Sequence, residues 1–366
     1  MSILIFIIIL LVLVLVHEFG HFFSAKKFGI RVDEFGFGFP PKLFGIKKGE
    51  TEYSFNLLPI GGFVKIFGEN PDQENTIGPD ASRGFVNKPK YKQAIVLFAG
   101  VFANFLLAWL LFSVGFMSGL PTSIGNEPKG YALTDVHLVL VSVLVDSPAE
   151  KAGLKSGDKI VSVQSSNDII SEINSDTLKF FILSHPDEEI NFGYIRGKNE
   201  TINTAKIIPV KKSPTENPSI GIAMDEIGIV KLPVLRAFWE GMKLNWSVTK
   251  GTVIGLYTLI VEGIMGKGSF ASVAGPVGMV SIVGNAYQFG FVYLLSFTAL
   301  ISINLAIINL IPFPALDGGR LLFLLIEKIK GSRINQKFAN AANTIGFAIL
   351  IILMLLVTYH DVIKLF

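Results

Sequence analysis

The chain contains no cysteine, and this absence narrows the chemistry that its 366 residues can perform. Disulfides, thiolate metal ligands and a cysteine nucleophile are all excluded. A metal site would therefore use histidine, aspartate or glutamate. Histidine is also scarce, because the sequence holds only His17, His21, His137, His185 and His360. The last three have no partner at ligand spacing, and we expect them to be ordinary solvated histidines.

Charge is the second property that the chain lacks. Only 17% of its residues are charged, against roughly 25% in soluble domains, and 50% are hydrophobic. The net charge is only +3 and no Lys/Arg-rich run appears, which argues against nucleic acid as a partner. The composition indicates an integral membrane protein whose surroundings are the lipid bilayer.

Apolar segments long enough to cross ~30 Å of hydrocarbon divide the chain. The run from Ile3 to Val16 is too short by itself, so its helix must continue to about Ala25. It does not resemble a removable leader, because no positive residue precedes it and no small-residue cleavage site follows it. We predict a first transmembrane helix at 1–27, a cytoplasmic or membrane-associated β-loop region at 28–93, a second transmembrane helix at 94–118, a small α+β domain at 128–212, an amphipathic interfacial helix at 234–265, a third transmembrane helix at 291–319 and a fourth at 341–360.

Basic residues set the predicted topology. Lys26 and Lys27 follow the first span, Arg320 and Lys328 follow the third, and such flanks are typically cytoplasmic. A full span at 234–265 would place these flanks on opposite sides, so we interpret that segment as an interfacial helix. The α+β domain then lies outside the cytoplasm.

A polar cluster interrupts the first span. His17-Glu18-Phe19-Gly20-His21 fits H-E-x-x-H, which places two imidazoles one helical turn apart on one face, with a carboxylate beside them. An ionisable group inside a span costs at least ~2.5–3.5 kcal/mol, so three together indicate a function. We predict that His17 and His21 bind zinc and that Glu18 is the general base. The alternative is a polar helix end that is merely solvated.

Catalytic zinc needs a third protein ligand and an open position. Asp317 is the best candidate, since it lies at the predicted depth of the histidine pair and precedes Gly318 and Gly319, which permit close backbone approach. The alternative is a turn or helix-start aspartate.

Residues before Asp317 add to this prediction. Pro312 and Pro314 should break the third helix, and broken backbone at membrane depth is tolerated where it lines a cavity. We take both prolines as candidate substrate-binding residues. Asn309 is a candidate catalytic residue that donates to an oxyanion, although freed carbonyls could equally satisfy it.

These motifs resemble the site-2 proteases, the zinc metalloproteases of regulated intramembrane proteolysis, and most closely their bacterial RseP group. The segments that carry the resemblance are His17 to His21, Asn309 to Gly319, Gly36-Phe37-Gly38, Gly49 to Lys65 and Ala152 to Asp158. The resemblance implies a polytopic α-helical membrane protein with four transmembrane helices, a membrane-associated β-loop and one inserted PDZ-like domain at 128–212. Many RseP-like proteins carry two PDZ domains, whereas this chain has room for one.

The resemblance also implies a function. One Zn²⁺ per chain would be held by His17, His21 and Asp317, in an enzyme of the bacterial inner membrane. Its substrates would be single-span membrane proteins such as anti-sigma factors, or signal-peptide remnants, with an upstream site-1 protease as a further partner. The loop from Gly49 to Lys65 would dip into the membrane and pair with substrate as an added strand. Its strand-like part, Thr51 to Leu58, makes Tyr53, Phe55 and Leu57 candidate substrate-binding residues.

Two functions from other classes stay open at this point. A non-catalytic scaffold would bind peptides through the PDZ-like domain and use the membrane part only as an anchor. A metal transporter would use the His/Asp cluster as an ion site, with Glu18 as a ligand. The second and fourth spans contain no ionisable residue in their interiors, which disfavours transport.

Overall fold

The computed structural model describes residues 1–69, 77–166, 168–197, 201–211, 217–266 and 275–363. Its helices are α1 (Ser2–Lys27), α2 (Lys90–Ser118), α3 (Pro148–Lys151), α4 (Ser175–Ser184), α5 (Val234–Ile264), α6 (Pro276–Phe289), α7 (Phe291–Leu310), α8 (Asp317–Lys330) and α9 (Gln336–Ile363). Its strands are β1 (Val32–Lys48), β2 (Thr51–Ile66), β3 (Leu120–Ser123), β4 (Thr134–Val143), β5 (Lys159–Gln164), β6 (Ile190–Ile195), β7 (Ile202–Ile207) and β8 (Ile222–Val230).

Four of the described helices are long and apolar enough to cross a membrane: α1, α2, α7 and α9. The prediction of four spans is therefore confirmed. The third span is shorter than predicted, because its helix ends at Leu310 just before Pro312 and Pro314. A new helix, α8, then begins at Asp317.

Helix α5 covers the segment predicted to be interfacial. It has 31 residues but is not among those four helices, since it carries several charged side chains along its length. Trp239 and Trp246 are more than half exposed on it. The placement of α5 at the membrane surface stays a prediction.

The chain divides into two compact units. The first contains 1–112, 241–284 and 296–366, and the second contains 113–240 and 285–295.

In the first unit, β1 and β2 are long, bent strands that form one antiparallel hairpin sheet. Each strand folds back, so four strand segments lie side by side in the order 42–48, 51–58, 32–39 and 62–66. The segment 51–58 is thus interior, and the segment 62–66 is an edge.

Aromatic rings attach this sheet to α1. Phe22 of α1 contacts Phe35 and Tyr53, with ring centroids 5.4 and 6.1 Å apart. The Nζ of Lys26, at the end of α1, lies 2.6 Å from an Oε of Glu50 in the hairpin turn. These contacts hold the hairpin against the C-terminal half of α1, where the H-E-x-x-H motif lies.

The second unit contains a six-stranded antiparallel sheet in the order β3-β8-β4-β5-β6-β7. Its core includes Leu140, Leu178 and Phe192, which are fully buried. The sheet extends beyond the predicted range of 128–212 at both ends, because β3 and β8 pair with each other and β8 pairs with β4.

A buried ion pair lies in this second unit. The carboxylate of Asp158 is fully buried, and each of its oxygens accepts a hydrogen bond of 2.7 Å from Arg196. These hydrogen bonds raise the pKa of the Arg196 guanidinium. A paired guanidinium offsets the cost of burying the carboxylate.

Candidate metal centre

Three side chains meet in the first unit, and they are the three predicted ligands. Nε2 of His17 lies 3.0 Å from Oδ2 of Asp317, and Nε2 of His21 lies 3.2 Å from the same oxygen. The two Nε2 atoms are 3.2 Å apart. Both histidines are buried, and this is the one group of three or more His, Asp or Glu found at ligand distance among the described residues.

The donor atoms fit zinc in chemistry and in spacing. Zinc prefers imidazole nitrogen and carboxylate oxygen at roughly 2.0–2.2 Å in tetrahedral geometry, which separates neighbouring ligand atoms by about 3.3 Å. The observed separations of 3.0 to 3.2 Å are close to that value. Three protein ligands leave the fourth position for water or substrate, as a catalytic site requires.

The second ring nitrogen of His21 is also defined. Nδ1 of His21 donates a hydrogen bond of 2.8 Å to the backbone carbonyl of Val96 in α2. This bond places the proton on Nδ1 and leaves the Nε2 lone pair for a metal. The sequence pattern gave no signal for this contact, because the acceptor is a backbone atom 75 residues away.

Two glycines allow α1 and α2 to approach closely at the site. A Cβ at Gly20 would lie 2.3 Å from the carbonyl oxygen of Ala99, and a Cβ at Gly100 would lie 2.4 Å from Nε2 of His21. Side chains at either position would collide with the facing helix or with the histidines. The absence of a Cβ is therefore what permits this geometry.

The break between α7 and α8 places Asp317. Asp317 is the first residue of α8, where the helix dipole favours a carboxylate. Gly318 and Gly319 are buried against backbone carbonyls that precede α8. A Cβ at Gly318 would lie 2.2 Å from the oxygen of Ile311, and a Cβ at Gly319 would lie 2.2 Å from the oxygen of Phe313. The predicted reason for these glycines, close backbone approach, agrees with the structure. Asp317 therefore begins a helix, as the alternative interpretation expected, and it also belongs to the cluster with His17 and His21.

A cavity of about 320 Å³ opens beside the three ligands. It contains the predicted base Glu18 and the predicted oxyanion donor Asn309. Its remaining lining residues are Val14, His17, His21, Phe63, Val64, Ile66, Glu69, Leu97, Leu305, Ala315, Leu316, Asp317 and Arg320. The cavity is thus large enough for part of a peptide and carries an acid, an amide and a cation.

Arg320 and Glu69 form an ion pair at the wall of this cavity. The same two residues also border a second, smaller cavity between α2, α8 and α9. From the sequence, Arg320 was expected only as a basic residue that follows the third span, and Glu69 was not expected at the site. Both belong to the surroundings of the metal centre.

The hairpin contributes to the cavity with the last part of the predicted loop Gly49 to Lys65 and not with its strand-like part. The predicted edge strand, Thr51 to Leu58, is interior over Glu52 to Phe55, where each residue pairs with a partner on both sides. An interior strand has no free backbone groups to offer a substrate, so the exposed edge expected within Thr51 to Leu58 is wrong over Glu52 to Phe55. The edge at the cavity is 62–66, which pairs with 32–37 and has no described strand on its other side.

The edge segment 62–66 lies beside Glu18, the predicted general base. The backbone N–H of Val64 donates to the carboxylate of Glu18, and a Cβ at Gly62 would lie 3.8 Å from Cγ of Glu18. Phe63, Val64 and Ile66 line the cavity.

The side chains of Tyr53, Phe55 and Leu57 are absent from that lining. The ring of Phe55 stacks on Phe37 and Phe44, with centroids 4.4 and 5.2 Å away, so it packs within the sheet. Tyr53 contacts Phe22 of α1.

The two prolines of the α7–α8 connection also lie outside the cavity lining. The backbone of Pro314 packs against Gly346 of α9, where a Cβ would lie 2.5 Å from the Pro314 oxygen. Pro312 is exposed. The structure thus gives Pro314 a packing role that fixes the turn before Asp317.

Asn104 is the site residue that the sequence analysis missed altogether. It is fully buried in α2, and its side-chain amide lies 3.4 Å from Nδ1 of His17. The available signal was a strongly polar side chain inside an apolar span, four residues after Gly100.

Comparison with known proteins shows which family the chain belongs to. Residues 5–353 match peptidase family M50. A Fusobacterium nucleatum protein assigned as a zinc metalloprotease is 33% identical, and the match covers 100% of both chains. A Clostridium acetobutylicum protein with the same assignment is 34% identical over 96% of this chain and 94% of the relative.

The regulator of sigma-W protease RasP of Bacillus subtilis is 30% identical over 99% of this chain and 98% of RasP. That alignment extends over 442 positions, so RasP carries residues that this chain of 366 lacks. Because the family match covers nearly the full length and the chain carries a zinc-type ligand cluster, the chain belongs to peptidase family M50, the site-2 type of membrane zinc metalloprotease.

Proposed function

We propose that this protein is an intramembrane endopeptidase that cleaves the transmembrane segments of other membrane proteins. The observation that carries the proposal is the cluster of His17, His21 and Asp317. It includes two side chains from α1, a helix apolar enough to span a membrane. A hydrolytic centre at that depth acts on peptide bonds that soluble proteases cannot reach.

The chemistry follows from the cavity. Zinc, when bound by the three ligands, supplies a Lewis acid that activates water and polarises a peptide carbonyl. Glu18 lines the same cavity and is not one of the three ligands. It takes the proton of the attacking water and passes it to the leaving amine nitrogen. The N–H of Val64 holds the carboxylate of Glu18 in place for both transfers.

Asn309 serves the carbonyl oxygen. It is in the last turn of α7 and lines the cavity on the side of Asp317. Its side-chain amide donates to the oxygen as negative charge develops there, which is worth about 3–4 kcal/mol in comparable sites.

Substrate reaches the centre in extended form. A helix hides its peptide bonds in i→i−4 hydrogen bonds, so the target must unwind before cleavage. In the membrane, each unsatisfied backbone group of an unwound segment costs several kcal/mol. We propose the edge 62–66 as the compensating strand partner, rather than Thr51 to Leu58, because no described strand pairs with its cavity side.

The second unit is the region we assign to a single PDZ-like domain outside the cytoplasm. None of the proposed catalytic residues lies in it. We propose that it controls access, either as a size filter or by binding a peptide end. Deletion of 128–212 decides between them: a size filter predicts that substrates with bulky external domains become cleavable.

The substrate class follows from the relatives. The Bacillus subtilis relative is named a regulator of sigma-W protease. We propose anti-sigma factors or signal-peptide remnants as substrates in the bacterial inner membrane, with a site-1 protease cutting first where the substrate has a large external domain.

Glu18→Gln tests the proposal. We expect purified Glu18→Gln to keep zinc near one per chain and to lose cleavage of a single-span reporter in liposomes. Glu262→Gln, at an exposed position of α5, is the matched control and should cleave at the parental rate. Retained cleavage by Glu18→Gln would point to a scaffold that purifies with another protease. Loss of zinc would make Glu18 a ligand, as an ion-transport site requires.

A further inference from the structure

A histidine that binds zinc through Nε2 must carry its proton on Nδ1, and it usually donates that proton to a fixed acceptor. His21 meets this requirement through the carbonyl of Val96. Among the residues that the structure describes, no backbone carbonyl accepts a hydrogen bond from Nδ1 of His17. The group beside that nitrogen is the side-chain amide of Asn104, whose Nδ2 lies 3.4 Å from it with the amide placed as in the structure.

Asn104 is placed to take that proton. The side chain is fully buried in α2 and Oδ1 has no hydrogen-bond partner in the described part of the chain. The oxygen and nitrogen of an amide exchange positions by a half-turn about χ2, and their assignment rests on the hydrogen bonds around them. With Oδ1 toward His17, the amide accepts from Nδ1–H and the Nε2 lone pair is left for the metal. The opposite orientation would make Nδ1 an acceptor and put the proton on Nε2, where zinc has to bind.

The backbone around Asn104 is itself fixed. Its carbonyl oxygen accepts a hydrogen bond of 2.8 Å from the hydroxyl of Ser302 in α7. One turn earlier, Gly100 lies against both histidine rings. The residue is therefore held at the point where α1, α2 and α7 meet, in contact with His17.

We propose that Asn104 is a positioning residue that fixes the tautomer and orientation of His17 by accepting a hydrogen bond from its Nδ1–H. The inference rests on the metal centre of the proposed function. Asn104 does not touch substrate or reacting atoms, so its effect is on metal affinity first and on cleavage through it.

The test measures zinc affinity by chelator competition on the purified full-length protein. Asn104→Leu keeps the shape and removes the acceptor, and it should weaken zinc binding by about 10–100-fold. Asn104→Asp keeps an acceptor that cannot donate, and it should bind zinc within about threefold of the parent. The cobalt-substituted visible spectrum should change for Asn104→Leu and stay parental for Asn104→Asp.

Asn245 provides the control. It is also fully buried with a partnerless Oδ1, but it lies in α5 and its Nδ2 donates to the carbonyl of Phe105, 3.3 Å away. Asn245→Leu should therefore keep parental zinc affinity even if it lowers the unfolding temperature.

Three outcomes would overturn the proposal. Parental affinity in Asn104→Leu would show that no acceptor is needed. A loss in Asn104→Asp as large as in Asn104→Leu would show that the amide acts as a donor. An equal loss in Asn245→Leu would show a general packing effect. If Asn104→Leu does not fold, Asn104→Ala takes its place, because it also removes the acceptor; parental zinc affinity in Asn104→Ala would overturn the proposal. Failure of the parent to bind zinc would instead refute the metal centre and the proposed function.

Discussion

Gly100→Ala is the substitution whose effect can be worked out most directly from the structure. The added Cβ would lie 2.4 Å from Nε2 of His21 and 2.9 Å from Cε1 of His17. Ordinary van der Waals contact begins at 3.4 Å, so the His21 ring must retreat by about 1 Å. Zinc sites tolerate deviations of only about 0.2 Å in ligand distance. The displacement is several times that tolerance.

We therefore expect Gly100→Ala to weaken zinc binding by more than about 100-fold, which exceeds the effect of losing a hydrogen-bond partner of a ligating histidine. The loss should occur although alanine is favoured over glycine in a helix interior by about 1 kcal/mol. Gly251→Ala is the matched control, since Gly251 is in the interior of α5 with nothing within 4 Å of its would-be Cβ. It should keep zinc and unfold at the same or a slightly higher temperature.

The assay is chelator competition at fixed pH in detergent, with thermal unfolding of the metal-stripped proteins as the check on folding. If Gly100→Ala binds zinc within about threefold of the parent, the expected collision between the added Cβ and the histidine rings does not occur and the prediction is wrong. Loss of zinc in both variants would show that the assay reports general destabilisation.

Three further predictions follow from other features. Asp317→Asn should lose both zinc and cleavage, and a variant that cleaves at the parental rate would place the third ligand elsewhere. In the inactive Glu18→Gln background, a cysteine at Val64 should crosslink to a cysteine in the substrate's transmembrane segment, while one at the interior-strand position Tyr53 should not; the reverse pattern would restore the interior strand as the binding segment. Arg196→Met leaves the buried carboxylate of Asp158 with the hydrogen bond from the N–H of Lys155 but without its guanidinium. It should destabilise the second unit by about 1–3 kcal/mol, measured by denaturant unfolding, whereas an unchanged midpoint would mean that water replaces the guanidinium.

The parts of the site that the sequence predicted are those that local geometry determines. The spacing of His17 and His21 is a property of any α-helix, and Asp317 followed from span depth together with Pro and Gly chemistry. These three side chains do come together in the structure.

The parts that were missed depend on contacts between distant segments. The interior position of Thr51 to Leu58 arises because 32–39 inserts between it and 62–66, which no alternation of side chains reveals. The sheet of the second unit extends to Val230 because β8 pairs with both β3 and β4. Asn104 was missed for the same reason, since its significance lies in a neighbour 87 residues away.

The distribution of the ligands along the chain has a consequence for biosynthesis. His17 and Asp317 are 300 residues apart, and the spans α2 and α7 lie between them. A nascent chain therefore carries two histidines and the base early, yet it lacks the third ligand until the end of α7 has been inserted. The proposed ligand set therefore cannot be complete before the end of α7 has been inserted. On that proposal, a ribosome-stalled or truncated product that ends before Asp317 would be catalytically silent.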